Sequence, residues 1–469
     1  MVKPLGIIVI MLIKEKNKKQ KNKEVSPMAI IPQLSLFDYR EIEKLGDLER
    51  LRLVIEYLPD EDFMRHLEKE RGKGRDKYPI RAMWNSLLAG IVYEHDTIAS
   101  LRRELSRNGQ LRSMCGFKNS KTPPPWVYSR FLDKLMEKEH QEYIEEIFNN
   151  LIEELKELLS DFGEKLAVDG KAIESYANPH DHDEDEKEEL KNDRRRDVDA
   201  KFGRKDYYYK DEHGNKYETV KRWFGYKLHL IVDAEYELPV SYKVTTAEKG
   251  ETPIAHELID ELKQTHPELI ERCNYLLGDR GYDDGKLIEK CWNEYRIKPI
   301  IDIRDMWKDG EDSKVLENEG NVVYDYCGNV YCYDPDTGLK RKMAYGGFEK
   351  KRNTLKQRCP ADHYGLKCRG KQECPVSGSI RIDLEEDRRV FTPVARQSYK
   401  WDRLYKARTS VERVNSRLDV SYGFENHTIR GLDKMQLNCS LSLIVMLGMA
   451  VGRIKEKQIE HIRSLVKSA

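Results

Sequence analysis

Leu276-Leu277-Gly278-Asp279-Arg280-Gly281-Tyr282-Asp283 is the stretch that decides how this chain is read. A short apolar run ends on a carboxylate, and a glycine-bearing turn follows at once. That pattern predicts a buried strand with Asp279 at its C-terminal tip, where open α/β sheets place their chemistry. The arrangement has an earlier copy in Lys165-Leu166-Ala167-Val168-Asp169-Gly170-Lys171. A single strand-end aspartate reads equally well as a turn or helix cap. Two of them raise the question of what else converges there.

Around these two stretches the periodicity alternates. Residues 217–220, 224–234 and 239–245 are β-rich, and 233–239 predicts a hairpin turn between the last two. Residues 254–264 and 285–295 read as helices, and 298–303 as a further strand. The expected fold class is α/β, a mixed sheet with flanking helices. Residues 28–160 are helical in pattern, with Pro79 in a first turn and a helix or helix pair over 127–159. Clustered Arg102, Arg103, Arg107 and Arg112 leave two readings for this region: a helix-turn-helix surface for DNA, or a bundle whose arginines face water. From 304 to 395 the regularity gives way to a Gly-, Tyr-, Lys- and Cys-rich stretch, read as a β-rich insertion. Helix then resumes, with 401–420 expected as one helix and 437–451 as a buried core helix. The domain organisation is therefore a basic and apolar extension (1–27), a helical N-terminal domain (28–160), a catalytic domain in two pieces (161–303 and 396–455), the insertion (304–395) and a tail (456–469).

Composition bounds the function. The chain has 469 residues, and its 83 basic residues balance its 83 acidic ones, which argues against a uniformly basic coat for nucleic acid while leaving room for local patches. Nine cysteines without an export signal point to a reducing cytoplasm. The apolar run at 5–13 is too short to span a membrane and is followed by lysines rather than a cleavage site, so Met28 is an alternative start and no membrane partner is expected. The acidic run 181–189 and Arg194–Arg196 read as a solvated loop, or as one that orders on a polyanion.

A third carboxylate completes a constellation. Tyr405, Arg408 and Glu412 are three and four apart and share one helical face. A carboxylate between an aromatic ring and an arginine is a costly way to fill a core. Asp169, Asp279 and Glu412 together offer hard oxygen ligands without His or Cys, a set suited to Mg²⁺ or Mn²⁺ and to phosphoryl transfer.

On Val168-Asp169-Gly170-Lys171, the segment from Trp223 to Asp233, Gly278-Asp279-Arg280-Gly281-Tyr282 and the Tyr405/Arg408/Glu412 helix, the chain resembles bacterial insertion-sequence transposases of the DDE class, close to the IS4 and IS1182-type groups. The resemblance runs from about Leu166 to Gly431 and implies a ribonuclease-H-like catalytic core. It implies Asp169, Asp279 and Glu412 as metal ligands, Tyr405 and Arg408 on the scissile phosphate or a flipped terminal base, and a protein acting in the bacterial cytoplasm at the nucleoid. It further implies terminal inverted repeats and target DNA as substrates, and a homodimer on paired DNA ends. A metal-dependent nuclease on the same fold and a catalytically decayed DNA-binding protein are the alternatives. The family motif carries a lysine seven positions after the glutamate; here that position is Asp419. Arg417 or Arg413 could supply the missing charge. Lys171 and Arg280, beside the aspartates, read either as phosphate contacts or as surface pairs.

The cysteines divide by context. Cys115, Cys273, Cys291 and Cys439 read as packing. Cys327 and Cys332 bracket a short turn, while Cys359, Cys368 and Cys374 cluster with His363 in a Pro/Gly-rich stretch. Structural Zn²⁺ on Cys359, Cys368 and Cys374 stands against buried or free thiols, since no C-x-x-C pair is present.

Overall fold

The computed structural model describes residues 46–463 apart from 74–76, 118–120, 180–195, 211–215, 308–311, 318–319 and 377. The extension 1–27, the alternative start Met28, the acidic run 181–189 and Arg194–Arg195 lie outside the described residues.

The N-terminal part is helical: α1 Leu48–Tyr57, α2 Glu61–Arg71, α3 Ile80–Val92, α4 Ile98–Arg107, α5 Gly109–Cys115, α6 Pro125–Leu135 and α7 Lys138–Leu158. Local chemistry sets the boundaries. Thr97 caps α4 by accepting from the Ser100 amide, Asn108 caps α5 through Leu111, and Pro125 occupies the first turn of α6 where its missing N–H costs nothing. The expected helix over 127–159 is thus a pair, α6 and α7. The helices α4 and α5 meet at Asn108 alone, tighter than the turn of about three or four residues in a helix-turn-helix. Arg102 is spent on the Pro123 carbonyl and Arg112 on those of Leu105 and Ser106, so neither guanidinium simply faces water.

The central sheet contains β1 Lys165–Glu174, β2 Lys201–Lys210, β3 Lys216–Asp233, β4 Leu238–Thr246, β5 Tyr275–Gly278 and β6 Lys298–Ile301. Its order is β2-β3-β1-β5-β6, with β4 also on β3. The β1–β3, β2–β3 and β3–β4 pairs are antiparallel, and β1–β5 and β5–β6 are parallel, giving the mixed sheet the sequence predicted. The helices α8 Glu251–Thr265, α9 Pro267–Arg272 and α10 Gly285–Asn293 connect its parallel half. The strand pieces expected at 217–220 and 224–234 are one continuous strand, and β2, a charged and tyrosine-rich segment, is a strand the pattern did not signal. At the β3–β4 turn, buried Asp233 accepts from the amides of Gly163, Glu235 and Tyr236, which locks the hairpin to the entry of β1.

The insertion holds two small sheets: β7 Lys314–Val315, β8 Val322–Tyr324, β9 Val330–Tyr333 and β10 Lys340–Lys342, then β11 Ala344–Glu349, β12 Thr354–Arg358 and, after the short α11 Pro360–Tyr364, β13 Ser379–Asp383. Its apolar core, which includes Val322, Val330, Ile380, Ile382 and Phe391, is separate from the large core shared by the helical region and the central sheet. Both ends of the insertion are tied to Asp283. That buried carboxylate accepts from the Arg304 amide at 2.8 Å and from Arg389 Nη1 at 3.0 Å.

After the insertion come α12 Tyr399–Lys406, α13 Thr409–Tyr422 and α14 Leu432–Lys455. The single helix expected over 401–420 is broken. The amides of Ala407, Arg408, Ser410 and Val411 bond three residues back rather than four, and the Thr409 hydroxyl donates to the Lys406 carbonyl. This tight turn separates α12 from α13 at Ala407–Arg408. The helix α14 is long and apolar enough to cross a membrane but is 89% buried over that window, packed on α1, α7 and β4 as a core helix.

Candidate active site

Asp279 follows β5 directly and caps the turn Arg280–Tyr282, its Oδ1 accepting from the Gly281 amide at 2.7 Å. This is the strand tip the sequence predicted. Asp169 differs. It is the fifth of ten residues of β1, and β1 runs on beside β3 to Glu174. Its parallel pairing with β5 ends at Ala167–Leu277, so Asp169 emerges where the parallel half of the sheet stops rather than at the end of its own strand. Both aspartates thus open onto the same edge.

A carboxylate the sequence reading passed over sits beside them. Glu251, the first residue of α8, has a side chain only 14% exposed and takes the favourable end of the helix dipole. A Cβ at Gly170 would lie 3.0 Å from its Oε1. One at Gly281 would lie 2.9 Å from its Oε2 and 2.7 Å from Asp279 Oδ1. The glycines after both aspartates are therefore the space into which Glu251 fits. Thr252 Oγ1 donates to the Gly281 carbonyl at 3.1 Å and fixes α8 to that turn.

Cations hold this charge in balance. Lys205 Nζ lies 3.9 Å from both Asp279 Oδ2 and Glu251 Oε1, and Lys227 Nζ lies 3.8 Å from Glu251 Oε1. Burial pushes the Asp169 carboxyl up to about 6; Asp279 and Glu251 add to the rise and Lys205 opposes it. Burial also lowers the Lys227 ammonium, with Glu251 opposing. Beneath the group, Tyr282 is fully buried, and its hydroxyl has no hydrogen-bond partner. Three carboxylates crowded against buried surface favour a bound divalent cation, and their hard oxygen donors fit Mg²⁺ or Mn²⁺.

The returning helices close the site. Tyr405 stacks on Trp401 with centroids 4.6 Å apart and lies under the Arg408 guanidinium at 5.5 Å. Arg408 Nη1 holds Glu412 Oε1 at 2.7 Å. Burial raises the Tyr405 hydroxyl, with Asp302 and Asp279 adding to it; Asp279 also helps to hold the proton on Arg408. One turn beyond Glu412, Asn415 Nδ2 donates to Asp169 Oδ2 at 3.3 Å. The helix α13 thus meets Asp169 through Asn415, with Glu412 half-exposed and held by Arg408.

The remaining predicted residues separate. Lys171 pairs with Asp419 at 2.5 Å, across β1 and α13. Arg280 is exposed and pairs with Asp302. Arg417 does not join the site: it is committed to the Glu237 carbonyl and carboxylate at the β3–β4 turn, where Arg413 also binds Glu237 at 2.7 Å. Five positions along a helix from Glu412 turn a side chain to another face. Cys359, Cys368 and Cys374 lie in the insertion, apart from the carboxylates.

Among the described residues the group of three ligand atoms drawn within 4.8 Å is His66, Glu70 and His140, not Asp169, Asp279 and Glu412. In that group Lys134 Nζ already holds Glu70 at 2.7 Å, and the His140 Nδ1–H points to the Lys134 carbonyl, so it reads as a charge network joining α2 to α7.

The family model for the transposase DDE domain matches residues 165–447, more than half the chain, and spans every element that contributes to the carboxylate site. No curated protein matches the chain.

Proposed function

The chain belongs to the DDE transposase family, and from that premise we propose that it binds the terminal inverted repeats of its own element and catalyses metal-dependent strand cleavage and strand transfer on a ribonuclease-H-like core. The observation that supports this reading most is the grouping of Asp169, Asp279 and Glu251 beside two lysines, with Asn415 of the Glu412 helix on Asp169.

Asp169, Asp279 and Glu412 would hold Mg²⁺ or Mn²⁺, which supplies an activated water or 3′-hydroxyl and stabilises the leaving oxygen. The protein's own groups do the rest. Asn415 orients Asp169, and the Gly281 amide orients Asp279. Tyr405 and Arg408 present a stacked ring and a guanidinium to the scissile phosphate, or to a base turned out of the duplex. Glu412 reaches the centre by exchanging its pair with Arg408, which frees that cation for phosphate. Lys205 and Lys227 offset carboxylate charge on the opposite side. A protomer on each of two paired ends, acting on DNA at the nucleoid in the bacterial cytoplasm, completes the reading.

The test uses duplexes carrying the inverted repeats that flank the gene, incubated with the full-length protein and Mg²⁺. The reading requires nicked ends and, with a target duplex, joined products. Nicked ends without joined products would assign a nuclease instead, and binding without cleavage a decayed protein.

A further inference from the structure

The insertion brings segments that carry four scattered cysteines towards the end of β9. Asp334, two residues past Cys332 and on the same face of the chain, accepts from the amides of Arg369 at 3.0 Å and Gly370 at 2.9 Å. This brings the segment that starts at Cys368 onto the end of β9. Asn321 Nδ2 donates both to the Tyr333 carbonyl at 3.0 Å and to Cys374 Sγ at 3.3 Å, so the Cys374 sulfur lies beside the residue after Cys332. The Cys359 amide donates to the Gly378 carbonyl at 2.8 Å, and Lys371 Nζ pairs with Asp362, closing the fourth segment onto the same end.

The environment of these thiols has two further marks. All four are partly exposed, unlike Cys115, Cys273, Cys291 and Cys439, which are buried. Arg341 is the cross-strand partner of Cys332, and its buried Nη1 has no hydrogen-bond partner.

We propose that Cys332, Cys359, Cys368 and Cys374 form a structural zinc site that staples the insertion, with Cys332 as the ligand the linear spacing hid. Zinc favours four thiolates in a tetrahedron, with metal–sulfur bonds of about 2.3 Å. Each cysteine releases its thiol proton to solvent as its Zn–S bond forms, so four thiolates and Zn²⁺ carry a net charge of about −2. Arg341 Nη1 is placed to donate to a thiolate and offset that charge. A module whose strands run from two to six residues gains most from such a staple.

The test is metal content of the full-length protein, expressed with added zinc and purified under reductant. One zinc per chain, released by a mercurial thiol reagent, is expected. Cys332→Ser and Cys368→Ser should lose most of it, while Cys327→Ser keeps it. Cobalt substitution of the unaltered protein should give the intense thiolate-to-metal absorption of a tetrahedral all-sulfur site, a readout that stands if a serine variant fails to fold. Zinc absent from the unaltered protein, zinc retained in Cys332→Ser, or the weak spectrum of oxygen-ligated cobalt would each overturn the assignment.

Discussion

The carboxylate site and the insertion answer the same problem, holding like-charged or ligating groups together, in different ways. In the central domain Asp169, Asp279 and Glu251 are braced by a large continuous core, by helix and strand backbone, and by Lys205 and Lys227. In the insertion a small core and short strands support the thiols, and the bracing comes from Asp334, Asn321 and loop amides. A large core can hold a strained charge cluster in readiness for a cation. A small module has little stability to spend and gains its order from the ligand itself.

The widest expected break between the two regions is in activity. Asp169→Asn or Asp279→Asn should lower strand cleavage about a thousandfold or more, equivalent to about 4 kcal/mol in the barrier, with duplex affinity changed by only a few-fold. Single-turnover cleavage and a gel-shift titration together measure this, and near-normal cleavage by either variant would remove that residue from the metal set. Gly281→Ala comes next. Its Cβ would press on Asp279 and Glu251 at once, so a loss of about 1–3 kcal/mol in stability and of most cleavage is expected. Thermal melting beside cleavage rates checks it.

A pH experiment then separates charge strain from packing. The Asp169 carboxyl titrates near 6 in the folded chain against an ordinary value of 3.8. The folded state holds this proton more tightly than the unfolded one, so its stabilising contribution is present below about 4 and lost as pH rises through about 6. Asp169→Asn should therefore stabilise the metal-free protein by about 1–2 kcal/mol at neutral pH, and the gain should shrink to nothing by about pH 4. Melting curves across that window are the measurement, and a gain independent of pH would point to packing instead. The smallest effect is the Lys171–Asp419 pair. A double-mutant cycle with Lys171→Met and Asp419→Asn should give a coupling of about 1 kcal/mol, and zero coupling would return Lys171 to the DNA surface.

Part of the candidate site was legible where its parts are local. At Asp279 an apolar run before Asp-x-Gly encodes a strand and a turn within eight residues, whereas after Asp169 the strand runs on through Gly170, and the helix is broken between Tyr405 and Glu412. Glu251 was not legible: a glutamate opening a helix looks like an ordinary cap, and only the space at Gly170 and Gly281 shows what it packs against. The strand β2 was missed because its residues are charged and aromatic, and its pairing with the long β3 overrides the weak pattern. The break at Arg408 was hidden because no proline or glycine marks it; the three-residue hydrogen bonds of Ala407, Arg408, Ser410 and Val411 make it.

By itself the sequence determined the mixed sheet, the place of Asp279 at the end of β5 and the buried α14, because each follows from the pattern of one segment. Only the tertiary structure decided which distant groups meet: Glu251 between Gly170 and Gly281, Asp419 on Lys171, Arg417 turned to Glu237, and Cys374 on Asn321 beside the end of β9. Those meetings depend on where separate segments cross in space, and a linear chain carries no period for that.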